Sequence, residues 1–226
     1  MNDSGSTRLS ARQLVLYSLP ALASAVAALP IVLFIPAYYA DDLGVPLATV
    51  GIAIAASRLF DVVTDPLIGG LSDRVHTRFG RRKPWILVGA PLFVVALWNL
   101  FVPGDGAGPT HLFVWSALLY LASTMIDLAH RAWGAELSTD YDERSRVTSV
   151  REGLATLGQV VLLGALLWAG TRGVESAESQ LRAVAWGVAL LLPIFVAAAL
   201  LGVREGREER FEHPRRSYIA GLRLVI

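Results

Sequence analysis

Six long apolar stretches, separated by short polar connections, constrain the fold of this chain more than any other feature of its sequence. They cover residues 14–39, 48–71, 85–102, 112–129, 147–169 and 184–203. Each is close to the roughly 20 residues that a helix needs to cross about 30 Å of hydrocarbon. Because lipid offers the backbone no hydrogen-bond partners, such stretches must be helical. The sequence therefore predicts an all-α membrane protein with six transmembrane helices.

Composition narrows the class of protein further. Of the 226 residues, 54% are hydrophobic and 17% are charged, whereas a soluble domain carries about a quarter charged residues. The net charge of +1 gives no sign of nucleic-acid binding. The chain has no cysteine, which excludes disulfides and thiol ligands. The sequence shows no nucleophile with a base, no phosphate-binding glycine loop and no metal motif, so we expect neither an enzyme nor a bound cofactor.

The basic residues predict the orientation in the membrane. When the amino terminus, the second and fourth connections and the carboxyl-terminal segment are placed on one side, 17 of the 20 Lys and Arg residues gather there. Positive charge near span ends marks the cytoplasmic side, so we expect a multi-pass cell-membrane protein with both termini cytoplasmic. The first stretch is too long for a signal peptide, whose apolar region is about 7–15 residues. We expect it to be retained.

Two acids lie one helical turn apart inside the second apolar stretch. Because positions i, i+3 and i+4 are neighbours on a helix, we expect Asp61, Thr64 and Asp65 to converge. One acid at the bilayer centre costs about 2.5–3.5 kcal/mol, and two carboxylates about 6 Å apart repel each other by roughly 3 kcal/mol at an effective dielectric of about 20. A small hard cation between them relieves both costs. The alternative is a structural ion pair between Arg58 and Asp61, with Asp65 extending toward the connection.

Two segments resemble a known family. The first reads RLFDVVTDPLIGGLSDRVHTRFGRRKPWI, residues 58–86, and the second is Asp127 followed by WGAELSTDYDERSRV, residues 133–147. In these segments the chain resembles the amino-terminal half of the glycoside/pentoside/hexuronide:cation symporters of the major facilitator superfamily. The resemblance implies a cation-coupled secondary transporter, driven by sodium or protons, for a sugar or glycoside-type solute.

The resemblance also implies which residues bind the coupling cation. In the family, the positions that match Asp61 and Asp65 hold this ion, and Thr124 matches a hydroxyl of the same site. Thr64 stands where a sodium-using member has asparagine, so an oxygen ligand is kept. The implied ligand set is therefore Asp61, Thr64, Asp65 and Thr124.

For the solute, the resemblance implies that Asp127 and Arg151 lie in one binding pocket. An ordinary i,i+4 ion pair of Asp127 with Arg131 is the alternative. Trp133 stands near the expected pocket, where it could stack on a sugar ring or serve as an interfacial anchor. The acid that sugar permeases of the family carry in helix one is absent from residues 20–31. This departure leaves two alternatives open, a sodium-dependent lysolipid carrier of the same fold and a non-transporting half-carrier.

The connection after the second stretch carries a candidate gate. Asp73 lies at the carboxyl end of the predicted helix, where the macrodipole disfavours an acid, so we expect Arg78 or Arg81 to hold it. In the superfamily, the matching acid takes part in a gate between the two halves of the transporter, and the resemblance implies this role for all three residues. For Arg81, Arg82 and Lys83, positive charge on the cytoplasmic side is a sufficient explanation.

Transporters of this superfamily contain two six-helix halves, whereas this sequence predicts six spans. We expect a cytoplasmic segment over residues 1–13, a six-helix bundle over 14–203 and, over 204–226, a basic linker that leads into a truncated seventh helix. The expected partners are the lipid bilayer, the coupling cation, a small-molecule solute, and either the missing carboxyl-terminal half or a second copy of the chain. No nucleic acid is expected.

Reporter fusions test the predicted orientation. A reporter fused after Ser72 should lie in the cytoplasm and one fused after Gly106 should lie outside, because helix two is predicted to run inward and helix three outward. Alkaline phosphatase, which is active outside, and green fluorescent protein, which fluoresces inside, measure the two locations. The same side for both fusions would contradict the topology.

Overall fold

Six long helices make up most of the described part of the chain. The computed structural model describes residues 8–75, 77, 80–173 and 176–204. The helices are α1 (Ala11–Leu33), α2 (Leu47–Arg74), α3 (Lys83–Phe101), α4 (Pro109–Glu136), α5 (Tyr141–Thr171) and α6 (Ala177–Gly202). All six are long and apolar enough to cross a membrane, and these described residues contain no β-sheet. The predicted all-α fold with six membrane-crossing helices is confirmed, while most of the predicted linker and seventh helix lies outside the described residues.

The first apolar stretch is not one continuous helix. After α1 the chain passes through a short helical turn, Ile35–Ala37, and a π-helical turn, Tyr38–Asp42. Pro36 explains the break, because it lacks the N–H that would bond to the preceding turn and its ring clashes with that turn. Tyr39 is nevertheless fully buried, and its hydroxyl donates to the Leu100 carbonyl at 3.3 Å. The expected continuous span to Tyr39 is therefore wrong at this end.

The start of α5 is polar and is stabilised by capping. The helix begins at Tyr141, well before its apolar stretch, and the Asp140 carboxylate accepts the N–H of Glu143 at 2.9 Å. Asp142 and Glu143 occupy the first turn, where the helix dipole favours negative charge. As a result Arg151 lies well inside α5, where it can face the other helices.

The helix α4 is the most buried of the six and organises the bundle. It packs against α2 and α3, while α1 packs against α5 and α6, and α3 also packs against α6. Direct packing between α4 and α5 is sparse. A cleft therefore opens between α2 and α4 on one side and α1 and α5 on the other.

Two glycines set how closely neighbouring helices approach. A Cβ at Gly158 in α5 would lie 2.9 Å from the Leu22 carbonyl oxygen of α1, and a Cβ at Gly89 in α3 would lie 2.9 Å from Cγ1 of Ile126 in α4. Such distances exclude any side chain unless a helix moves. Close backbone approach therefore couples α5 to α1 and α3 to α4.

We expect Gly158→Ala to destabilise the bundle. The added methyl group meets backbone rather than a flexible side chain, and overpacking of this kind costs about 1–3 kcal/mol. Gly164→Ala is the matched control on the same helix, because no atom lies within 4 Å of a Cβ built there. Thermal unfolding of the purified chain in detergent measures both variants. If Gly158→Ala melts like the control, the close approach of α1 and α5 does not contribute to stability.

Candidate cation and solute site

A cavity of about 480 Å³ lies in the cleft between α1, α2, α4 and α5. Its α1 wall is small and mostly apolar, with Ala21, Ala25 and Ala28, whereas α2, α4 and α5 carry charged side chains. The structure thus brings most of the predicted cation and solute residues into one cavity. These are Asp61, Asp65, Thr124, Asp127 and Arg151.

Three oxygen-bearing side chains converge where α2 packs against α4. The Thr124 hydroxyl oxygen lies 2.6 Å from Oδ1 of Asp65 and 3.1 Å from Oδ1 of Asp61. The hydroxyl has one hydrogen and donates it to one carboxylate at a time. Whichever carboxylate does not receive this hydrogen has no hydrogen bond from Thr124, although its oxygen lies close to the hydroxyl oxygen. Hard oxygen ligands of this kind are suited to a small hard cation.

Thr64 is placed apart from these oxygens. It is buried, it does not line the cavity, and its hydroxyl donates to the Asp61 backbone carbonyl at 3.2 Å. On a helix, residue i+3 lies about 60° to one side of residue i, and residue i+4 lies about 40° to the other side. Asp65, on one side of Asp61, lines the cavity, and Thr64, on the other side, does not, so the structure does not bring Thr64 to the other predicted ligands.

Arg58 does not neutralise the acid pair by direct contact. Its guanidinium carbon lies 4.3 Å from the centre of the Tyr120 ring of α4, which is a cation–π geometry. In the described part of the chain it forms no ion pair with Asp61 or Asp65. The alternative of a structural ion pair between Arg58 and Asp61 does not fit this geometry, although the Arg58 charge still acts on Asp61 through space.

A second charged cluster joins α4 to α5 in the same cavity. Nη2 of Arg151 donates to Oδ1 of Asp127 at 2.9 Å, and its Nη1 donates to Oε1 of Glu152. Arg131 lies 3.6 Å from the same carboxylate of Glu152. The Arg151 side chain is 5% exposed, whereas that of Asp127 is 42% exposed. The cluster thus pairs Asp127 with Arg151 rather than with Arg131, and its carboxylates are more accessible than the central guanidinium.

Sequence reasoning missed two members of this cluster. Glu152 contacts both Arg131 and Arg151, and because the contact with Arg131 joins two helices, no local spacing predicts it. His130 is fully buried and accepts a hydrogen bond from Arg151 at 3.3 Å. The sequence signal that could have identified His130 is its place directly after the apolar stretch 112–129, because a titratable side chain within a membrane span is a candidate functional residue.

Trp133 lies in the protein core. It is fully buried and does not line the cavity. Its ring packs edge-on against that of Tyr17 in α1, with 5.5 Å between the ring centres, and the Lys83 ammonium lies 5.2 Å from its ring centre. Neither the sugar-stacking nor the interfacial-anchor expectation fits this position.

At the predicted cytoplasmic end, the structure shows a partner of Asp73 that the sequence analysis did not assign to it. Asp73 pairs with Arg82 at 2.7 Å, and Arg82 also donates to Glu136 at 3.1 Å. Arg81 contacts Glu136 at 2.6 Å, and Arg78 lies outside the described residues. The buried Arg82 therefore ties the end of α2 to the end of α4.

Lys83 also has a specific role in the bundle. Its ammonium donates to the carbonyls of Leu200 and Val203 at 2.8 and 2.7 Å. Carbonyls at a helix end lack partners within the helix, so Lys83 caps the end of α6. General positive charge on the cytoplasmic side is therefore not a sufficient explanation for Arg82 or Lys83.

Six helices of membrane-spanning length around a charged cavity are the fold of a multi-pass membrane protein with an internal polar site. A family model described as "MFS/sugar transport protein" matches residues 16–224. The chain belongs to this family of the major facilitator superfamily. The resemblance to the amino-terminal half of its glycoside:cation symporters is confirmed.

Individual relatives are symporters by name. The chain is 32% identical over 148 residues to an uncharacterised symporter of Synechocystis sp., a match that covers 62% of the chain and 27% of the relative. It is 33% identical over 139 residues to a putative glycoside/cation symporter of Escherichia coli, covering 60% and 30%. It is 28% identical over 229 residues to the sodium-dependent lysophosphatidylcholine symporter 1 of Mus musculus, covering 85% and 43%. The chain thus spans less than half the length of these curated relatives.

Proposed function

We propose that the chain forms one bundle of a cation-coupled symporter. The observation that carries the proposal is the meeting of two charge clusters in one cavity, the Asp61–Asp65–Thr124 oxygens and the Asp127–Arg151 pair. A secondary transporter needs a cation site and a solute site near each other, between two bundles. The symporter names of the relatives support this reading.

The proposed coupling ion is sodium, held by Asp61, Asp65 and Thr124. Two carboxylates and a hydroxyl are hard ligands that suit such an ion. Within the described residues, no cluster of three or more His, Cys, Asp or Glu side chains is placed to ligate a metal ion, so Asp61 and Asp65 are the two acids available here, whereas Ca²⁺ takes about 6–8 oxygen ligands. The Mus musculus relative is named as sodium-dependent.

The proposed solute is a sugar or glycoside. The cavity presents carboxylate and guanidinium groups from Asp127, Arg131, Arg151 and Glu152, and such groups form charge-assisted hydrogen bonds with hydroxyls. Its volume of about 480 Å³ lies within the range of about 300–1,000 Å³ that is usual for small-molecule sites. The family description names sugar transport, and the Escherichia coli relative is named for glycosides.

A lysolipid is the second candidate solute, and the α1 wall of the cavity favours it. That wall offers Ala21, Ala25 and Ala28 and no acid, so an acyl chain could lie against it. A zwitterionic head group could then pair with Arg151 and Asp127. The lysophosphatidylcholine symporter of Mus musculus matches 85% of the chain.

The proposed location is the cell membrane, with both termini cytoplasmic. A second six-helix bundle, either a carboxyl-terminal half or another copy of the chain, would close the cavity. We assign the gate to the ion pairs at the ends of α2 and α4, where Asp73 and Glu136 meet Arg81 and Arg82. Breaking these pairs would free one helix end from the other.

Sodium should stabilise the chain through the oxygens that face the cavity. At a sodium concentration one hundred times Kd the gain is about 2.7 kcal/mol, measured as a higher melting temperature than in choline chloride. Thr124→Ala should reduce this gain because Thr124 contacts both carboxylates, whereas Thr64→Ala is the matched control that should keep it. Asp65→Asn should abolish it. Equal losses in the two threonine variants would contradict the assignment, and a wild-type chain indifferent to sodium would remove sodium as the ion.

Uptake into proteoliposomes tests transport and separates the two solutes. The chain, reconstituted alone or with a carboxyl-terminal half from a close relative, should accumulate a radiolabelled aryl glycoside only under an inward sodium gradient. Arg151→Lys should lower this uptake at least tenfold, because lysine cannot make the forked contact of Arg151 with two carboxylates. Accumulation of lysophosphatidylcholine instead would select the second solute. If the gradient drives neither compound in either preparation, the symporter proposal is wrong.

A further inference from the structure

His130 is a buried polar residue that the two charge clusters leave unexplained. It lies in α4, has no exposed surface and does not line the cavity. It therefore touches neither the proposed solute nor the proposed cation. A buried imidazole is stable only when its ring nitrogens have hydrogen-bond partners, and those partners show what it does.

Both ring nitrogens of His130 have partners on other helices. Nε2 lies 2.7 Å from the backbone carbonyl oxygen of Tyr17 in α1, and Nδ1 lies 3.3 Å from Nε of Arg151 in α5. A carbonyl oxygen only accepts, and a guanidinium N–H only donates. The partners therefore dictate a neutral imidazole with its hydrogen on Nε2 and its lone pair on Nδ1.

Tyr17 forms a second hydrogen bond with His130, through its side chain. The Tyr17 hydroxyl donates to the backbone carbonyl of His130 at 2.6 Å, and the two rings lie 4.3 Å apart, centre to centre. A Cβ at Gly134 would lie 2.2 Å from the Tyr17 hydroxyl oxygen, so only glycine leaves room for this hydroxyl. The reciprocal hydrogen bonds between Tyr17 and His130 hold the imidazole at a fixed place on α4.

The fixed imidazole constrains Arg151. Because α4 and α5 pack sparsely, the side chain of Arg151 crosses between them and is held mainly by its hydrogen bonds. With Nε bound to a neutral acceptor, Nη1 and Nη2 point to the carboxylates of Glu152 and Asp127. A carboxylate in place of His130 would compete for the guanidinium charge, and a cationic side chain would repel it.

We infer that His130 is a positioning residue, which uses the lone pair of Nδ1 to fix the Arg151 guanidinium against Asp127 at the wall of the cavity. That this positioning helps to bind a solute rests on the proposed function. The hydrogen bonds of His130 can be tested without any transport measurement, so failure of the uptake experiment and failure of the positioning experiment are distinguishable.

Nitrogen NMR tests the tautomer. The variant with His76→Gln, His111→Gln and His213→Gln leaves His130 as the one labelled histidine of the four in the chain. With isotope-labelled histidine in lipid nanodiscs, we expect a protonated Nε2 and an unprotonated Nδ1, with the Nδ1 resonance shifting when Arg151→Met removes its N–H donor. A protonated Nδ1, or an Nδ1 resonance that does not change in Arg151→Met, would overturn the inference.

Two substitutions of His130 separate positioning from simple packing. His130→Asn places a carboxamide oxygen near the position of Nδ1 and keeps an acceptor for Arg151. His130→Gln can place an amide N–H near the position of Nε2 and keep the bond to Tyr17, but it offers Arg151 no acceptor at the Nδ1 position. If the inference holds, His130→Gln weakens the ion pair of Arg151 with Asp127 and makes the Asp127 carboxylate more reactive, whereas His130→Asn keeps both unchanged.

Carbodiimide labelling, read by peptide mass spectrometry, measures this difference in the 226-residue chain. We expect His130→Gln to raise labelling of Asp127 severalfold, while His130→Asn stays within twofold of the wild type. Labelling of Asp61 is the internal control and should stay constant in both variants. Equal labelling of Asp127 in the two variants would overturn the inference. If His130→Gln fails to fold, the NMR result on the chain that keeps His130 decides.

Discussion

Charged side chains at membrane depth need partners within the protein, and α4 supplies most of them. An unpaired charge among lipid tails is too costly to persist, so the acids of α2 and the arginine of α5 must face the interior. On α4, Tyr120, Thr124, Asp127 and Arg131 follow one another every three or four residues and share one stripe along the helix. This stripe contacts Arg58 and the acid pair of α2, and then the arginine and glutamate of α5. Between α4 and α5 the facing side chains are charged residues joined by ion pairs, and the two helices pack sparsely there, which leaves the cleft open.

The two charge clusters differ in how they are balanced. In the α4–α5 cluster, Asp127 and Glu152 face Arg131 and Arg151, so the four charges cancel. In the α2–α4 cluster, Thr124 is a neutral hydrogen-bond donor between two acids, and no cationic side chain forms an ion pair with either acid in the described residues. The α2–α4 cluster thus holds two acids without an ion pair, and the proposed cation would offset this imbalance. Since Thr124 and Asp127 are about one helical turn apart on α4, an ion bound by the α2–α4 cluster would lie close to the α4–α5 cluster.

Much of the fold follows from the sequence, because apolar length alone requires helices in lipid. Every apolar stretch coincides with a helix of the structure, and the departures have local causes. Pro36 breaks the first stretch, and the cap at Asp140 starts α5 before apolar residues begin. Apolar length carries no information about either feature.

The site was predictable only in part, because the spacing of residues along one helix shows which of them share a face but not which residues of another helix they contact. The spacing of Asp61 and Asp65 placed both acids on one face, but only the packing of α2 against α4 shows that Thr64 points elsewhere. The joining of Asp127 and Arg151 came from the family resemblance, since nothing local links residues on different helices. Arg82 and Lys83 read as general positive charge until their partners on other helices were visible.

Equilibrium binding of radiolabelled sodium to the purified chain tests the central claim most directly. The claim is that the carboxylates of Asp61 and Asp65, with the hydroxyl of Thr124, form one cation site. We expect saturable binding of one sodium ion per chain, displaced by unlabelled sodium and not by choline, and none when Asp61→Asn and Asp65→Asn are combined. Saturable binding that survives in this double variant, or a folded wild-type chain that binds no sodium, would contradict the account.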